Sequence, residues 1–151
     1  FNSELLQVMK KFYIIIIIFL YISNTYSKSY ELEWTGDIEF TKSITYQDKS
    51  IFKIVHPAGY WKDSDGNFGN FSCIGWVKNI KDKESLEVNC EALDNENDRF
   101  WVILNRNSEI GAGVGVSTYI DATGKYKKLI NKKCKYAINY FQTGFFYKQV
   151  C

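Results

Sequence analysis

Four cysteines are the residues of this chain with the clearest chemistry, because their spacing fits disulfide bonds. Cys73 and Cys90 are 17 positions apart, and so are Cys134 and Cys151. No Cys-x-x-Cys pair occurs, so neither a redox motif nor a zinc site is indicated. Four cysteines allow three pairings, and free buried thiols are the alternative to all three. The choice depends on the strands in which the cysteines lie.

Strand alternation around the first two cysteines favours a hairpin. Pairing Cys73 with Cys90 centres the turn in the polar segment 79–84 and sets Val77 opposite Leu86. Directly opposed residues of antiparallel strands have Cα atoms about 4.5–5.5 Å apart, which suits a disulfide bond. The bond would close a loop of roughly 18 residues and stabilise the fold by about 3 kcal/mol in the chain-entropy account.

The other two cysteines favour a second hairpin at the end of the chain. Pairing Cys134 with Cys151 centres a turn on residues 142–144 and sets Ile138 opposite Tyr147. In this register the two cysteines are again directly opposed. The sequence therefore predicts two hairpin disulfides, Cys73–Cys90 and Cys134–Cys151.

Few other residues are candidates for chemistry. His56 is the only histidine, and no Gly-x-Ser-x-Gly elbow supplies a nucleophile for it. The loops 63–67 and 94–98 carry oxygen-bearing side chains at alternate positions, a fragment of a calcium loop without its full spacing. Solvated turns are the simpler interpretation of both loops. We therefore assign no catalytic residue, metal or cofactor from the sequence.

The segment 111–117, Gly-Ala-Gly-Val-Gly-Val-Ser, has three alternating glycines. It lacks the Gly-Lys-Ser/Thr ending of a phosphate-binding loop. In a strand the glycines would leave one face bare, which lets a bulky group approach the backbone closely. That group is either a Trp or Tyr of the protein itself or a ligand, and Gly113 is the candidate for the ligand case.

The elements that position these residues are predicted to be strands. Apolar and polar residues alternate with period two over positions 30–46, as in a half-buried strand. The run is longer than a usual strand, so Gly36-Asp37 is predicted to mark a bend or bulge. Pro57 in the next strand lacks an N–H, which predicts an edge or rim position for it. The apolar face of the first strand includes Trp34, Ile38 and Phe40.

Further alternating segments extend this pattern to the end of the chain. They cover residues 51–58, 69–78, 84–93, 99–106, 111–120, 134–141 and 145–151, with one short helical turn within 125–132. Eight or nine short strands predict an all-β fold. An eight-stranded antiparallel barrel is favoured over a β-sandwich, because closure removes strand edges that otherwise need protection.

Residues 9–27 have the pattern of a secretory signal peptide. Two lysines follow Met9, eleven apolar or aromatic residues occupy positions 12–22, and a polar stretch ends in the small Ser27. Eleven helical residues span roughly 17 Å, well short of a hydrocarbon core of ~30 Å, so a stable membrane anchor is not favoured. We expect cleavage near Ser27 and a secreted or periplasmic protein, a location in which disulfides form.

The expected mature chain, residues 28–151, has room for one domain. Residues 1–8 precede the only Met and are interpreted as an over-extended reading frame. The chain is 46% hydrophobic and 24% charged, which is typical of a globular protein rather than a disordered one. Its 19 basic and 17 acidic residues argue against a nucleic-acid partner, since that partner favours a concentrated basic patch.

Short motifs resemble known barrel families. Residues 59–61, Gly-Tyr-Trp, resemble the Gly-x-Trp of lipocalin and avidin-type barrels. Residues 122–126, Ala-Thr-Gly-Lys-Tyr, are similar to the Gly-Thr-Gly-Lys-Phe/Tyr segment of dirigent and allene-oxide-cyclase barrels, with Asp-Ala at 121–122 in place of Gly-Gly. The run 59–126 also resembles small exported bacterial proteins of unknown function. The resemblance implies an eight-stranded calycin or allene-oxide-cyclase-like barrel with a small-ligand cavity, and it transfers no catalytic residue.

Three hypotheses for function follow. The first is an exported barrel that binds a small apolar or aromatic ligand. The second is a structural or protein-interaction barrel with a filled lumen and no ligand. The third is an isomerase or cyclase-type enzyme, which would need an ionisable group in the lumen, such as His56 or a buried Glu. The candidate ligand-binding residues are Trp34, Ile38, Phe40 and Gly113. The identity of the ligand and the oligomeric state stay open.

Overall fold

Eight antiparallel strands form a closed barrel in chain order in the computed structural model, which describes residues 29–109 and 113–151. Each strand pairs with the next, and the first strand closes the barrel on the last. The strands are β1 Glu31–Thr45, β2 Ile51–Asp63, β3 Phe68–Ile80, β4 Lys83–Asp94, β5 Arg99–Glu109, β6 Gly113–Ala122, β7 Lys133–Phe141 and β8 Gly144–Val150. The predicted barrel is confirmed. The predicted signal segment and residues 1–8 lie outside the described residues.

The period-two alternation places one apolar face of each strand in the barrel lumen. In β4, Leu86, Val88 and Cys90 are buried, whereas the residues between them are partly or fully exposed. Leu32 and Trp34 of β1 are buried in the same way. A single hydrophobic core therefore lies inside the barrel.

Both predicted disulfides are confirmed, and so are the registers from which they were derived. Cys73 is bonded to Cys90 with Cα atoms 4.1 Å apart, and Cys134 is bonded to Cys151 with Cα atoms 4.5 Å apart. Val77 lies opposite Leu86 in the first hairpin. Ile138 lies opposite Tyr147 in the second. Each bond therefore joins neighbouring strands of the barrel wall.

One end of the barrel is closed by a short 3-10 helix, Gly124–Leu129, which we call the plug helix. It connects β6 to β7 and buries Tyr126 and Leu129 in the lumen. The ring centroid of Phe100 lies 5.1 Å from those of both Trp61 and Tyr126, in edge-to-face contacts, and 5.5 Å from that of Tyr119. We call the plug helix and these side chains the plugged half. The short helical turn predicted within residues 125–132 is thus confirmed.

The opposite end, with the turns at 46–50, 81–82 and 142–143, is the open half. Here the β1–β2 hairpin extends past the end of β8, and β3 follows it, since Ile51 of β2 still pairs with Asn79. The β1–β8 ladder ends where Asp37 pairs with Gly144, whereas β1 and β2 remain paired as far as Thr45 and Ile51. The extension leaves one edge of β1 without a strand partner among the described residues. A register shift between Phe40 and Lys42 interrupts that edge, which is a common protection against edge-to-edge association.

The bulge predicted at Gly36-Asp37 and the edge or rim position predicted for Pro57 are both wrong. No register shift occurs at Gly36-Asp37, because the shift in β1 lies further along the strand. Gly36 instead pairs with Gly59, and a side chain there would collide with the backbone of Ala58. The glycine therefore permits close approach of two strands rather than an inserted residue.

Pro57 is also not at an edge or rim. It lies within β2 opposite Ile38, because a closed barrel has no edge at this position. On its other side the β2–β3 pairing is interrupted between the pairs Val55–Gly75 and Ala58–Ser72. The missing N–H of Pro57 falls in this gap.

The described residues contain no helix that is long and apolar enough to cross a membrane.

Candidate ligand-binding cavity

The open half contains a cavity of about 300 Å³ inside the barrel. This volume lies at the lower end of the range for small-molecule sites, about 300–1,000 Å³. The wall is mostly aliphatic and aromatic, and its apolar residues include Val55, Val77, Leu86, Val88, Leu104, Ile138 and Phe145. All of these side chains come from rigid strands of the barrel wall.

Trp34 lies at the boundary between the cavity and the packed core. Its ring stacks on Phe71 with centroids 4.4 Å apart and is tilted against Tyr147 at 5.2 Å. Tyr147 in turn stacks on Tyr136 at 4.9 Å. Burial raises the pKa of both tyrosines, so their phenols stay neutral at neutral pH and serve as wall and hydrogen-bonding groups.

Three of the four candidate binding residues line the cavity. They are Trp34, Ile38 and Phe40, all on the apolar face of β1. Phe40 is 53% exposed at the mouth, where the ammonium of Lys53 lies 5.0 Å from its ring centre. The fourth candidate, Gly113, is not among the lining residues. A Cβ at Gly113 would contact Ser108 and Arg106 instead.

The alternating glycines make room for a side chain of the protein at one described position. The ring of Tyr136 occupies the space in which a Cβ at Gly115 would lie. This is the intramolecular alternative that the sequence left open. Tyr136 lines the cavity, so the glycine shapes the cavity wall indirectly. The first glycine of the segment, at position 111, is outside the described residues.

The open half also holds an ion pair that the sequence analysis missed. Arg106 of β5 has a completely buried side chain and pairs through Nη2 with the carboxylate of Glu84 on β4. Glu84 lines the cavity, and so does Lys53. The sequence contained a signal for this buried pair, because Arg106 continues the alternation that turns Phe100, Val102 and Leu104 of β5 into the barrel. A charged residue in a buried phase is uncommon unless it is paired.

The same region contains buried polar atoms without partners. Among the described residues, the buried side-chain polar atoms that lack a hydrogen-bond partner belong to Trp34, Asn79 and Arg106. The indole nitrogen of Trp34 and the amide oxygen of Asn79 belong to residues that line the cavity. Nε and Nη1 of Arg106 have no acceptor. Such groups are rare in native structures, and a bound molecule is one reason for them.

The plugged half, in contrast, pairs its buried polar groups. Gln149 is fully buried, accepts hydrogen bonds from Ser117 and Tyr147, and donates one to Tyr119. The indole N–H of Trp61 donates to the backbone oxygens of Asn70 and Leu93. These contacts bind several strands together where the lumen is filled.

The acidic loops belong to this plugged half. Asp63 accepts hydrogen bonds from the backbone N–H groups of Asp65 and Asn67 and from the hydroxyl of Tyr30. Asp94 accepts from the backbone N–H groups of Glu96 and Asp98. It also accepts from the hydroxyl of Tyr126 and pairs with Lys125, so it holds the plug helix to the β4–β5 loop.

His56 and two of the four tryptophans lie away from the cavity. His56 is on the outer face of β2, opposite Glu39 of β1. Trp76 and Trp101 are only partly buried, and Trp76 stacks on Phe52 at 6.1 Å. Their positions follow from strand parity, since each alternates with inward-facing neighbours. A pocket lined by all four tryptophans is therefore not formed.

No protein-family model, curated protein or solved structure matches this chain. Of the motifs that carry the family resemblance, residues 59–61 lie in β2, and residues 122–126 cover the end of β6 and the start of the plug helix.

Proposed function

We propose that this protein is an exported barrel that binds a small apolar or aromatic molecule in the cavity of its open half. The observation that carries the proposal is the cavity itself, about 300 Å³ between the packed core at Trp34 and the mouth at Phe40. Well-packed interiors leave few spaces larger than a water molecule. An apolar space of this size is a cost to the fold and is consistent with a binding role.

The wall is suited to an apolar ligand. Burial of apolar surface contributes about 25 cal/mol per Å² before the costs of association are subtracted. The lining residues lie on paired strands, and Cys73, which also lines the cavity, is tied to β4 by its disulfide. A preformed wall loses little conformational freedom when a ligand binds, which favours affinity.

Export is part of the same proposal. Two disulfides are typical of oxidising compartments, and residues 9–27 have the pattern of a signal peptide. The resemblance of residues 59–126 to small exported bacterial proteins supports the same proposal. N-terminal sequencing of protein recovered from a bacterial periplasm, expressed from Met9, should give Lys28 as the first residue. A retained Met9 would contradict export by this segment.

The cavity favours binding over the two alternatives. An interaction barrel was expected to have a filled lumen, and here only the plugged half is filled. An enzyme needs an ionisable group in the lumen, and Glu84 is one. Its carboxylate is paired with the buried Arg106, an arrangement better suited to holding a polar group than to transferring a proton.

The test is a titration with N-phenyl-1-naphthylamine, a neutral aromatic probe whose fluorescence rises in apolar surroundings. Val77→Trp places a large side chain in the cavity. Ile74→Trp places the same side chain on the outer face of β3, where Ile74 is 56% exposed. We expect saturable binding by the wild type and by Ile74→Trp, and loss of binding in Val77→Trp. Absence of wild-type binding, or equal binding by both variants, would contradict the proposal.

A further inference from the structure

We infer that the cavity selects amphiphiles whose apolar body ends in one oxyanion, such as a carboxylate, and that Arg106 is the residue that receives this oxyanion. The inference rests on the proposed function and specifies its ligand class. It extends the binding site from the apolar wall to the polar cluster formed by Asn79, Glu84 and Arg106.

The cluster is assembled by strand register. Asn79 of β3 lies directly opposite Glu84 of β4. Arg106 of β5 lies opposite Leu86, two residues along from Glu84, and pairs with the Glu84 carboxylate. Three neighbouring strands therefore bring these side chains to one place at the open end. Asn79 and Glu84 line the cavity, so the cluster borders the space in which an apolar body would lie.

Unmet hydrogen-bonding capacity points to an oxygen-bearing ligand. Nε and Nη1 of Arg106 are buried and have no acceptor. A buried guanidinium with unused donors is costly, and the cost is recovered when an acceptor arrives. Each parallel N–H pair of a guanidinium includes Nη2, which is already paired with Glu84, so an oxyanion would accept a single charge-assisted hydrogen bond from Nε or Nη1, or share Nη2 with Glu84. The plugged half has no such orphan group among its described residues.

The charge balance indicates a single negative charge on the ligand. Lys53 and Glu84 line the cavity, and Arg106 is buried beside it. Among the described side chains these are two positive groups and one negative group. One positive charge is therefore not balanced by a lumenal carboxylate, and a monoanion would balance it. A cationic ligand would add to the excess and bind less tightly.

The ring of Tyr140 lies beside Arg106 at the mouth of the cavity. The guanidinium lies 5.7 Å from the centre of the Tyr140 ring, and its nitrogens do not reach the cavity surface. Tyr140 lines the cavity and is 38% exposed at the mouth. An oxyanion can reach Nε or Nη1 only if a side chain of the wall moves, and Tyr140 is the cavity-lining side chain whose ring lies beside the guanidinium.

Three probes of equal chain length separate the head group from the apolar body. Decanoate is anionic, 1-decanol is neutral and decylamine is cationic at neutral pH. Each is used to displace N-phenyl-1-naphthylamine from the full mature protein. We expect decanoate to bind about tenfold or more tightly than 1-decanol, the effect of one charged hydrogen-bonded contact. Decylamine should bind most weakly.

Two variants assign the preference to Arg106. The double variant Glu84→Gln, Arg106→Met removes both charges together and leaves no buried charge unpaired. The affinity ratio of decanoate to 1-decanol should fall about tenfold in this variant. Glu84→Gln alone should raise the ratio, because the oxyanion then has no competitor for the guanidinium. Arg99→Met is the matched control, because Arg99 lies on the same strand as Arg106 and pairs with Glu91 of β4 in a half-exposed contact. The affinity ratio of this variant should equal the wild-type ratio.

The outcomes are distinct. If the naphthylamine probe does not bind the wild type, the proposed function fails. If the probe binds but decanoate and 1-decanol have equal affinity, the cavity is apolar only and the inference is overturned. A preference for decanoate that persists in the double variant would exclude Arg106 as its source. If the double variant does not fold, an unchanged ratio in Glu84→Gln overturns the inference on its own.

Discussion

The plugged half and the open half of this barrel are built from the same eight strands with different contents. In the plugged half, Phe100 contacts Trp61, Tyr119 and Tyr126. In the open half, Leu104, four residues further along β5, borders a cavity. The difference shows that closure of a β-barrel does not require a filled lumen at both ends. Dense packing at one end is sufficient to hold the wall around an open space at the other.

Hydrogen bonding divides the molecule in the same way. Gln149 and Asp94 in the plugged half pair with side chains from distant parts of the chain. Asn79 and Arg106 in the open half retain unpartnered atoms. Packing and polar pairing therefore stabilise one half, and the cavity with its unpartnered polar atoms lies in the other, where we propose that the ligand binds; such a division is expected when stability and function compete for the same residues.

The largest expected effect comes from equal truncations in the two halves. Phe100→Ala should lower the free energy of unfolding by about 4 kcal/mol, because its neighbours enclose the side chain completely. Phe145→Ala should cost about half as much, since Phe145 already borders the cavity and the deleted ring only enlarges it. Urea denaturation monitored by circular dichroism measures both. Equal losses would mean that the halves do not differ in packing.

The two disulfides offer a second comparison at smaller cost. Both close loops with a sequence separation of 17 residues, so chain entropy assigns each about 3 kcal/mol. We expect a larger loss for Cys134→Ala, Cys151→Ala than for Cys73→Ala, Cys90→Ala. The Cys134–Cys151 bond holds the end of the chain beside Gln149, whose amide nitrogen lies 3.4 Å from the sulfur of Cys151. Unfolding of each double variant in urea gives the two values, and a reversed order would contradict this division.

Buried amides provide a third comparison. Gln149→Leu should destabilise the protein by about 1–3 kcal/mol, because it removes the amide that is hydrogen-bonded to the hydroxyls of Ser117, Tyr119 and Tyr147. Asn79→Leu should be close to neutral or stabilising, since its amide oxygen has no partner to lose. Shifts of the urea midpoint at constant m-value test the pair. A large loss in Asn79→Leu would show that the open half is paired more fully than its geometry indicates.

The smallest effect concerns acid stability. Burial alone would raise the pKa of Asp94, but hydrogen bonds from Lys125 and from the backbone of Glu96 and Asp98 outweigh burial and lower it. The pKa of Asp48 is lowered by its hydrogen bonds from Ser50 on the open rim. A carboxyl group whose pKa is lower in the folded state stabilises the fold above its unfolded pKa of about 4, and this stability is lost as the pH falls through the folded value.

Asp94→Asn should therefore reduce stability at neutral pH and flatten its loss in acid. Asp48→Asn should change both much less, because Asp48 holds only a local turn whereas Asp94 holds the plug helix. Free energies of unfolding at a series of pH values between neutrality and about pH 2 provide the comparison. Identical pH profiles for the two variants would contradict it.

Much of this architecture was predictable because it follows from local periodicity. Parity around Cys73 and Cys90 predicted the observed opposition of Val77 and Leu86. Alternation also placed Trp34, Ile38 and Phe40 on one face, and the structure places all three at the cavity. Alternation did not predict that Gly113 lies away from the cavity lining, because its neighbours Arg106 and Ser108 belong to another strand.

The sequence by itself determined the all-β strand pattern, the registers of the two cysteine-bearing hairpins and the two disulfides, because side-chain alternation and cysteine spacing are properties of short segments. Only the tertiary structure decided which half of the lumen is filled. That outcome depends on the summed volumes of side chains from all eight strands and on the plug helix, which closes one end. The ion pair of Glu84 and Arg106 also became visible only in the tertiary structure. Its partners are 22 positions apart in the sequence and are brought together by the register of β4 and β5, in which Arg106 lies opposite Leu86, two residues from Glu84.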